Sequence, residues 1–246
     1  MLKHLQRDLE GLKREILAMG NLAEDATGRA LEALLSSDVD SAAAVIDGDA
    51  DLDRKEMEVE EECLKILALH QPVAADLRFI VAILKVNNDL ERIGDLAANI
   101  AKRAITLASS RTVDLPPELR TMMEKVQRMV VRSLDSLVKM DAGIAREVLR
   151  ADEGVDAIHK RMYQYLQDRM RDDPNRIPEY IQVLSISRHL ERIADQSTNI
   201  AEDVIFTVEG ELVRHGGWEL EVDDEDPGDR PPGHLRIVRA RGEGDQ

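Results

Sequence analysis

Aromatic rings are scarce in this chain. They make up 2% of its 246 residues, although 43% of the residues are hydrophobic. A core built from Leu, Ile, Val, Ala and Met suits long packed helices better than a β-sandwich, whose strands favour aromatic and β-branched side chains. Cysteine is scarcer still. Cys63 stands alone, which excludes an internal disulfide framework and fits a reducing compartment. It sits among the apolar positions of a helical pattern and reads as a small core residue rather than a reactive thiol. Long apolar runs are also absent. The densest, FIVAIL at Phe79–Leu84, falls far short of the roughly 20 residues a membrane helix needs. The stretch MLKHLQRDLEGLKREIL has no continuous apolar segment of signal-peptide type, so the expected location is the cytoplasm.

Signatures of catalysis are missing as well. There is no Gly-rich phosphate loop, no Gly-x-Ser-x-Gly elbow, no Cys-x-x-Cys and no dinucleotide fingerprint. Di-iron carboxylate oxidases need Glu-x-x-His pairs aimed into a bundle core, and none occurs. The nearest approach, Asp156-Ala-Ile-His159, is single; His159, His70 and His189 read as packing or surface residues. Positive charge is in deficit too: 33 Lys and Arg face 49 Asp and Glu, for a net charge of -16 and a pI near 4.8. Such a chain repels nucleic-acid backbones and anionic lipid, so neither nucleic acid nor direct membrane insertion is expected. Acid excess suits cations, or a protein partner with a basic patch.

What is present is helical periodicity, written twice. Leu2, Leu5, Leu9, Leu12, Ile16, Met19 and Ala23 recur at three and four, and the pattern predicts a helix over Leu2–Leu35. Asp38 and Ser41 offer a break and a cap before a second helix to about Leu69, with a kink near Gly48. His70-Gln71-Pro72 closes that helix, and a third runs from Val73 to Leu107. After the linker SSRTVDLPPEL the order restarts with helices over Glu118–Met140, Ala142–Arg171 and Ile177–Thr207. The early helices of the halves register at an offset of 103 (Asp38 with Asp141, Asp49 with Asp152, Asp53 with Asp156) and the last at 100. The fold expected is all-α: two tandem three-helix bundles over 1–110 and 115–210, followed by a charged, mostly disordered tail over 211–246.

The duplication is sharpest in LERIGDLAANIA (Leu90–Ala101) and LERIADQSTNIA (Leu190–Ala201), which agree at eight of twelve positions. The shared residues include Glu91/Glu191, Asp95/Asp195 and Asn99/Asn199. At four-residue spacing they form a stripe drifting by about 40° per step, away from the apolar seam Ile83, Leu90, Ile93, Ala97 and Ile100. The stripe is expected to point out of its own bundle, with Gly94 and Ala98 (Ala194 and Thr198) leaving room beside the acids. Carboxylates at i,i+4 repel, yet the pattern returns on the preceding helices as Asp49/Asp53 and Asp152/Asp156. A multivalent cation would turn that repulsion into coordination by hard oxygen donors, with the Asn99 and Asn199 amides extending the site. The same spacing is equally that of solvated acidic faces neutralised by Arg92 and Arg192. A third reading, a metal-dependent hydrolase, would need anion-binding groups, for which Arg92 and Arg192 are the candidates.

These two repeats, each preceded by an Asp-x-x-x-Asp helix, resemble the PhoU family of phosphate-signalling regulators. PVAADLRFIVAILKVNNDLERIGD (Pro72–Asp95) is especially similar to that family's first repeat, and TVEGELVRH (Thr207–His215) resembles its C-terminal end. The resemblance implies two three-helix bundles related by pseudo-twofold symmetry. It also implies multinuclear clusters of iron, zinc or magnesium on Glu/Asp-x-x-x-Asp motifs. By position the ligands are Glu91, Asp95, Glu191 and Asp195, then Asp49, Asp53, Asp152 and Asp156, then Asn99 and Asn199. Glu60 follows Asp53 by seven residues where the second copy has Tyr163, so the two sites are not expected to be equivalent. The implied role is that of a cytoplasmic negative regulator contacting the ATPase subunit of the phosphate ABC transporter and a membrane sensor histidine kinase. A homodimer is expected.

Overall fold

The computed structural model describes residues 2–110, 115–210, 218–222 and 235–239. Six long helices carry the fold: α1 (Leu2–Ser36), α2 (Val39–His70), α3 (Ala74–Ala108), α4 (Pro117–Lys139), α5 (Ala142–Asp172) and α6 (Ile177–Glu209). The starts of α2 and α5 are set by the same device 103 positions apart. Asp38 accepts from the Ser41 amide at 3.0 Å, and Asp141 from the amides of Gly143 and Ile144 at 2.8 and 3.1 Å. Each carboxylate thereby satisfies N–H groups that the first helical turn leaves without partners. The helix α2 runs unbroken through Gly48, where a kink is expected from the sequence. A short 3-10 turn at Pro174–Arg176 joins α5 to α6.

The helices α1, α2 and α3 pack on one another, and α4, α5 and α6 do the same. The predicted seams are the core: Leu12, Ile16, Met19 and Ala23 of α1, and Ile83, Leu90, Ile93, Ala97 and Ile100 of α3, are all fully buried. Cys63 is buried beside them, where burial, then Glu62 and Glu60, push its thiol up to about 12. A polar contact is duplicated along with the apolar ones. Asn87 of α3 donates to the Glu56 carbonyl of α2 at 2.9 Å. At the corresponding places in the second bundle, Ser187 of α6 lies 2.8 Å from His159 of α5.

Gly94 does not make room for carboxylates; it is buried, and a Cβ there would stand 2.8 Å from Leu52 Cδ1. The glycine lets α2 and α3 approach closely around the Leu52 side chain.

The two bundles meet along α3 and α6, with α1 also touching α4. Lys85 of α3 donates to Asp203 of α6 at 2.7 Å, and Asn199 of α6 faces Asp89 of α3 at 3.5 Å. Rising numbers on one helix meet falling numbers on the other, so α3 and α6 are antiparallel. Equivalent helices crossing in opposite directions are what a pseudo-twofold axis between the repeats produces.

The expectation of a disordered tail falls mostly on residues outside those described. The exceptions are β1 (Trp218–Val222) and β2 (Leu235–Arg239), paired antiparallel with Trp218 opposite Arg239 and Val222 opposite Leu235. WELEV alternates apolar and acidic residues, the period of a strand, in a segment whose composition alone suggests none.

Candidate metal centre

Each acidic ladder is brought against the acidic pair of the preceding helix. On the first bundle, α2 contributes Asp49 and Asp53 and α3 contributes Glu91 and Asp95. Burial, then Asp95 and Asp53, push the Asp49 carboxyl above its ordinary range, with Lys102 opposing. Glu91 is pushed up by burial, then by Asp95, Asp53 and Glu56, while Arg92 opposes. On the second bundle Glu191 of α6 is raised by burial, then by Asp195 and Asp156, with Arg188 opposing and Asp152 adding to the rise. The sequence placed these acids on two separate helices in each half; the fold makes them neighbours.

Both faces are more enclosed than a stripe pointing into solvent. Glu91, Glu191, Asp49, Asp152, Asp156 and Asp195 are half-buried, while Asp53 and Asp95 are exposed. Partial burial weakens water's screening, so like charges resist being held together there more than on an open helix face. The cations that act on the ladder glutamates differ between the two faces. Arg92 is exposed and is the last of the influences on Glu91, and the cation opposing Glu191 is Arg188 rather than Arg192.

Glu56 belongs to the first cluster, although its spacing along α2 does not mark it. Burial, then Glu60 and Asp53, raise its carboxyl. The signal was available at the register of 103: Glu56 corresponds to His159 and Glu60 to Tyr163. The first face therefore carries two acids that the second has replaced with an imidazole and a phenol. Asn199 turns its amide across to Asp89 at 3.5 Å, into the seam between the bundles. Asn99 is half-buried.

The donor set is carboxylate oxygen throughout, which suits hard multivalent cations over soft ones. Among the described residues no three His, Cys, Asp or Glu side chains converge as a ready-made metal cage. Among the described residues the arrangement is an acidic face on each bundle rather than a closed cage. No helix among the described residues is long and apolar enough to cross a membrane.

Comparison with known proteins places this architecture. A model of the PhoU domain matches residues 16–104 and again 119–204, one match to each bundle. The Pseudomonas aeruginosa protein named phosphate-specific transport system accessory protein PhoU homolog is 39% identical over 213 residues, covering 85% of this chain and 87% of that protein. Its namesake in Escherichia coli K12 is 33% identical over 215 residues, covering 87% and 89%. The crystal structure of PhoU from Pseudomonas aeruginosa superposes with a TM-score of 0.80 at 38% identity, covering 83% of this chain and 99% of that one. The phosphate transport system regulatory protein PhoU from Streptococcus pneumoniae gives a TM-score of 0.80 at 31% identity, covering 85% and 99%. With both halves matched and relatives of this similarity aligned along most of its length, the chain belongs to the PhoU family, whose members named here are accessory and regulatory proteins rather than enzymes.

Proposed function

We propose that this chain is a non-enzymatic, cytoplasmic negative regulator of phosphate uptake and of phosphate-starvation signalling. It acts by contact with the ATPase subunit of the phosphate ABC transporter and with a membrane sensor histidine kinase. Membership in the PhoU family carries the proposal, together with the names of its relatives as accessory proteins of phosphate-specific transport. The charge of -16 argues in the same direction, since such a surface reaches a membrane through a protein and not through anionic lipid. Exposed apolar pairs recur at equivalent places near the starts of α3 and α6, Leu77 with Val81 and Ile177 with Ile181. Repeated exposed apolar positions suit a partner, or a second copy in a homodimer.

In this reading the acidic faces hold iron, zinc or magnesium. Asp49, Asp53, Glu91 and Asp95 are the ligands on one bundle, and Asp152, Asp156, Glu191 and Asp195 on the other. A bound cation would relieve the repulsion that adds to burial in raising Asp49, Glu91 and Glu191, and its remaining coordination positions would be open to a partner carboxylate. Metal content is measured on protein purified without chelator, beside a variant with Glu91, Asp95, Glu191 and Asp195 all changed to Ala. The expected outcome is bound metal in the parent and none in the variant, with chelation also weakening capture of the purified ATPase subunit. A metal-free parent would return the acids to solvated faces. Asp49→Asn supplies a sign test: it should stabilise the chelated protein, by removing a half-buried like charge, and abolish any stabilisation by added metal.

A further inference from the structure

The pseudo-twofold axis relates the two ends of the α3–α6 seam, so a residue on α3 has its counterpart 100 positions later on α6. One end gathers Lys85, Asp89 and Arg92 of α3 with Asn199 and Asp203 of α6. Acids and bases are matched there: Lys85 is paired with Asp203 at 2.7 Å, and while burial, then Asp203, push the Asp89 carboxyl up, Asn199, Arg92 and Lys85 act on it in the opposite direction. The counterparts at the other end are Ser185, His189, Arg192, Asn99 and Arg103. Both acids are gone there. Asp89 is replaced by His189 and Asp203 by Arg103, which leaves two guanidiniums and an imidazole with no carboxylate in the set.

The buried groups at this end lack partners. Among the described residues, Arg103 Nε and both ring nitrogens of His189 are shielded from solvent and make no hydrogen bond. Buried polar groups of this kind are ordinarily satisfied, and an unsatisfied donor on a cation calls for an acceptor. The crowding is visible at the imidazole: the charges that act on His189 are those of Arg103, Arg192 and Arg188. Arg188 acts also on Glu191. Arg192 and Arg188 are exposed, so the group is reachable from solvent. In a chain with 16 more acidic than basic residues, a basic cluster without a carboxylate of its own is a local reversal of the field.

We propose that this end of the seam, formed by Arg103 of α3 with His189 and Arg192 of α6, is a binding site for a small multivalent oxyanion of the phosphate type. Guanidinium forks match the oxygens of a tetrahedral anion, and an imidazole can donate to an anion oxygen or accept from its hydroxyl. The anion supplies the acceptor that Asp89 and Asp203 supply at the opposite end. Because it lies between the bundles, its binding would couple α3 to α6 and set how firmly the two acidic faces are held relative to each other. The site is independent of the metal reading, since none of the carboxylates assigned there contributes to it.

Inorganic phosphate is titrated into the full chain by calorimetry in chelator-containing, phosphate-free buffer, so that the acidic faces hold no metal. The same titration is followed in the imidazole resonances of the six histidines. The expected result is saturable binding that moves one histidine resonance, the one missing in His189→Gln. Arg103→Gln should weaken binding by about tenfold or more, as for loss of a charge-assisted hydrogen bond. His189→Asp, which writes the residue of the first repeat into the second, should do at least as much. Arg192→Gln, at an exposed position, provides a variant whose folding is not at risk and should also bind more weakly. No saturable binding by the parent, or equal binding by the parent and Arg192→Gln, would overturn the proposal.

Discussion

His159 stands in the second bundle where Glu56 stands in the first, and the exchange alters the response of the fold to acid. The imidazole is half-buried and lies 2.8 Å from Ser187 Oγ. Burial holds its pKa below the ordinary value; Asp156 opposes this and Arg188 adds to it. A histidine that resists protonation when folded but not when unfolded contributes stability that is complete above its ordinary pKa. That stability is lost as the pH falls through the ordinary value toward the folded one. Urea unfolding of the parent should therefore show falling stability from pH 8 to pH 5. In His159→Gln, which keeps a polar group for Ser187, the fall should be shallower by up to about 1.4 kcal/mol per pH unit, the ceiling for one proton. His189 is shifted the same way and leaves part of the slope in place. Parallel pH profiles for parent and variant would exclude the imidazole as the proton site. Glu56 was not singled out among α2 acids that look alike in sequence, and its place in the cluster depends on what α3 brings alongside.

Between elements, the closest approach in the first bundle and its counterpart in the second solve one packing problem with different residues. In the first, Leu52 of α2 fills the space over Gly94 of α3, where a Cβ would come within 2.8 Å of Leu52 Cδ1. By the registers of 103 and 100, the counterparts are Val155 and Ala194, both fully buried. A side chain shorter by one carbon on α5 is matched by one carbon more on α6. Exchanging the pair should follow the same logic. Gly94→Ala adds helix propensity worth about 1 kcal/mol but overpacks against Leu52, which costs about 1–3 kcal/mol. In a Leu52→Val background the clash is relieved and the propensity gain should emerge. A double-mutant cycle by chemical denaturation should return a favourable coupling of about 1 kcal/mol. An effect of Gly94→Ala that is the same in both backgrounds would show that Leu52 does not set the spacing. In sequence Gly94 stands beside Asp95 and so reads as room beside the acids; its neighbour in space is Leu52.

At the scale of the whole molecule, the two bundles are joined by a seam that is partly polar. Asp89, Gln196 and Asp203 are 7%, 8% and 9% exposed, and burial, then Asp203, push the Asp89 carboxyl up to about 7. Lys85 holds this arrangement from the rim: it pairs with Asp203 at 2.7 Å, and its ammonium lies 5.8 Å from the centre of the Phe206 ring. Lys85→Met should cost about 1–3 kcal/mol, toward the lower end because the lysine is half exposed. Adding Asp203→Asn should recover much of that loss, since the paired charge is then removed from both sides. Unchanged stability in Lys85→Met at pH 8 would mean that apolar packing alone sets the docking of α3 on α6.

Six helices, their caps and their duplication could be derived from the chain alone, because each depends on spacing along one helix: apolar residues at three and four, Asp38 and Asp141 before a helical run, a Pro-Pro linker between repeats. The eight carboxylates of the ladders could be read for the same reason. Their meeting across α2–α3 and α5–α6, the inclusion of Glu56, the turn of Asn199 toward Asp89 and the gathering of Arg103 with His189 could not. Those depend on which faces of different helices come together, and that follows from the packing of whole bundles. A one-dimensional pattern specifies which way a side chain faces on its own helix; the group it faces is decided only when a second helix, far away in sequence, is packed against it.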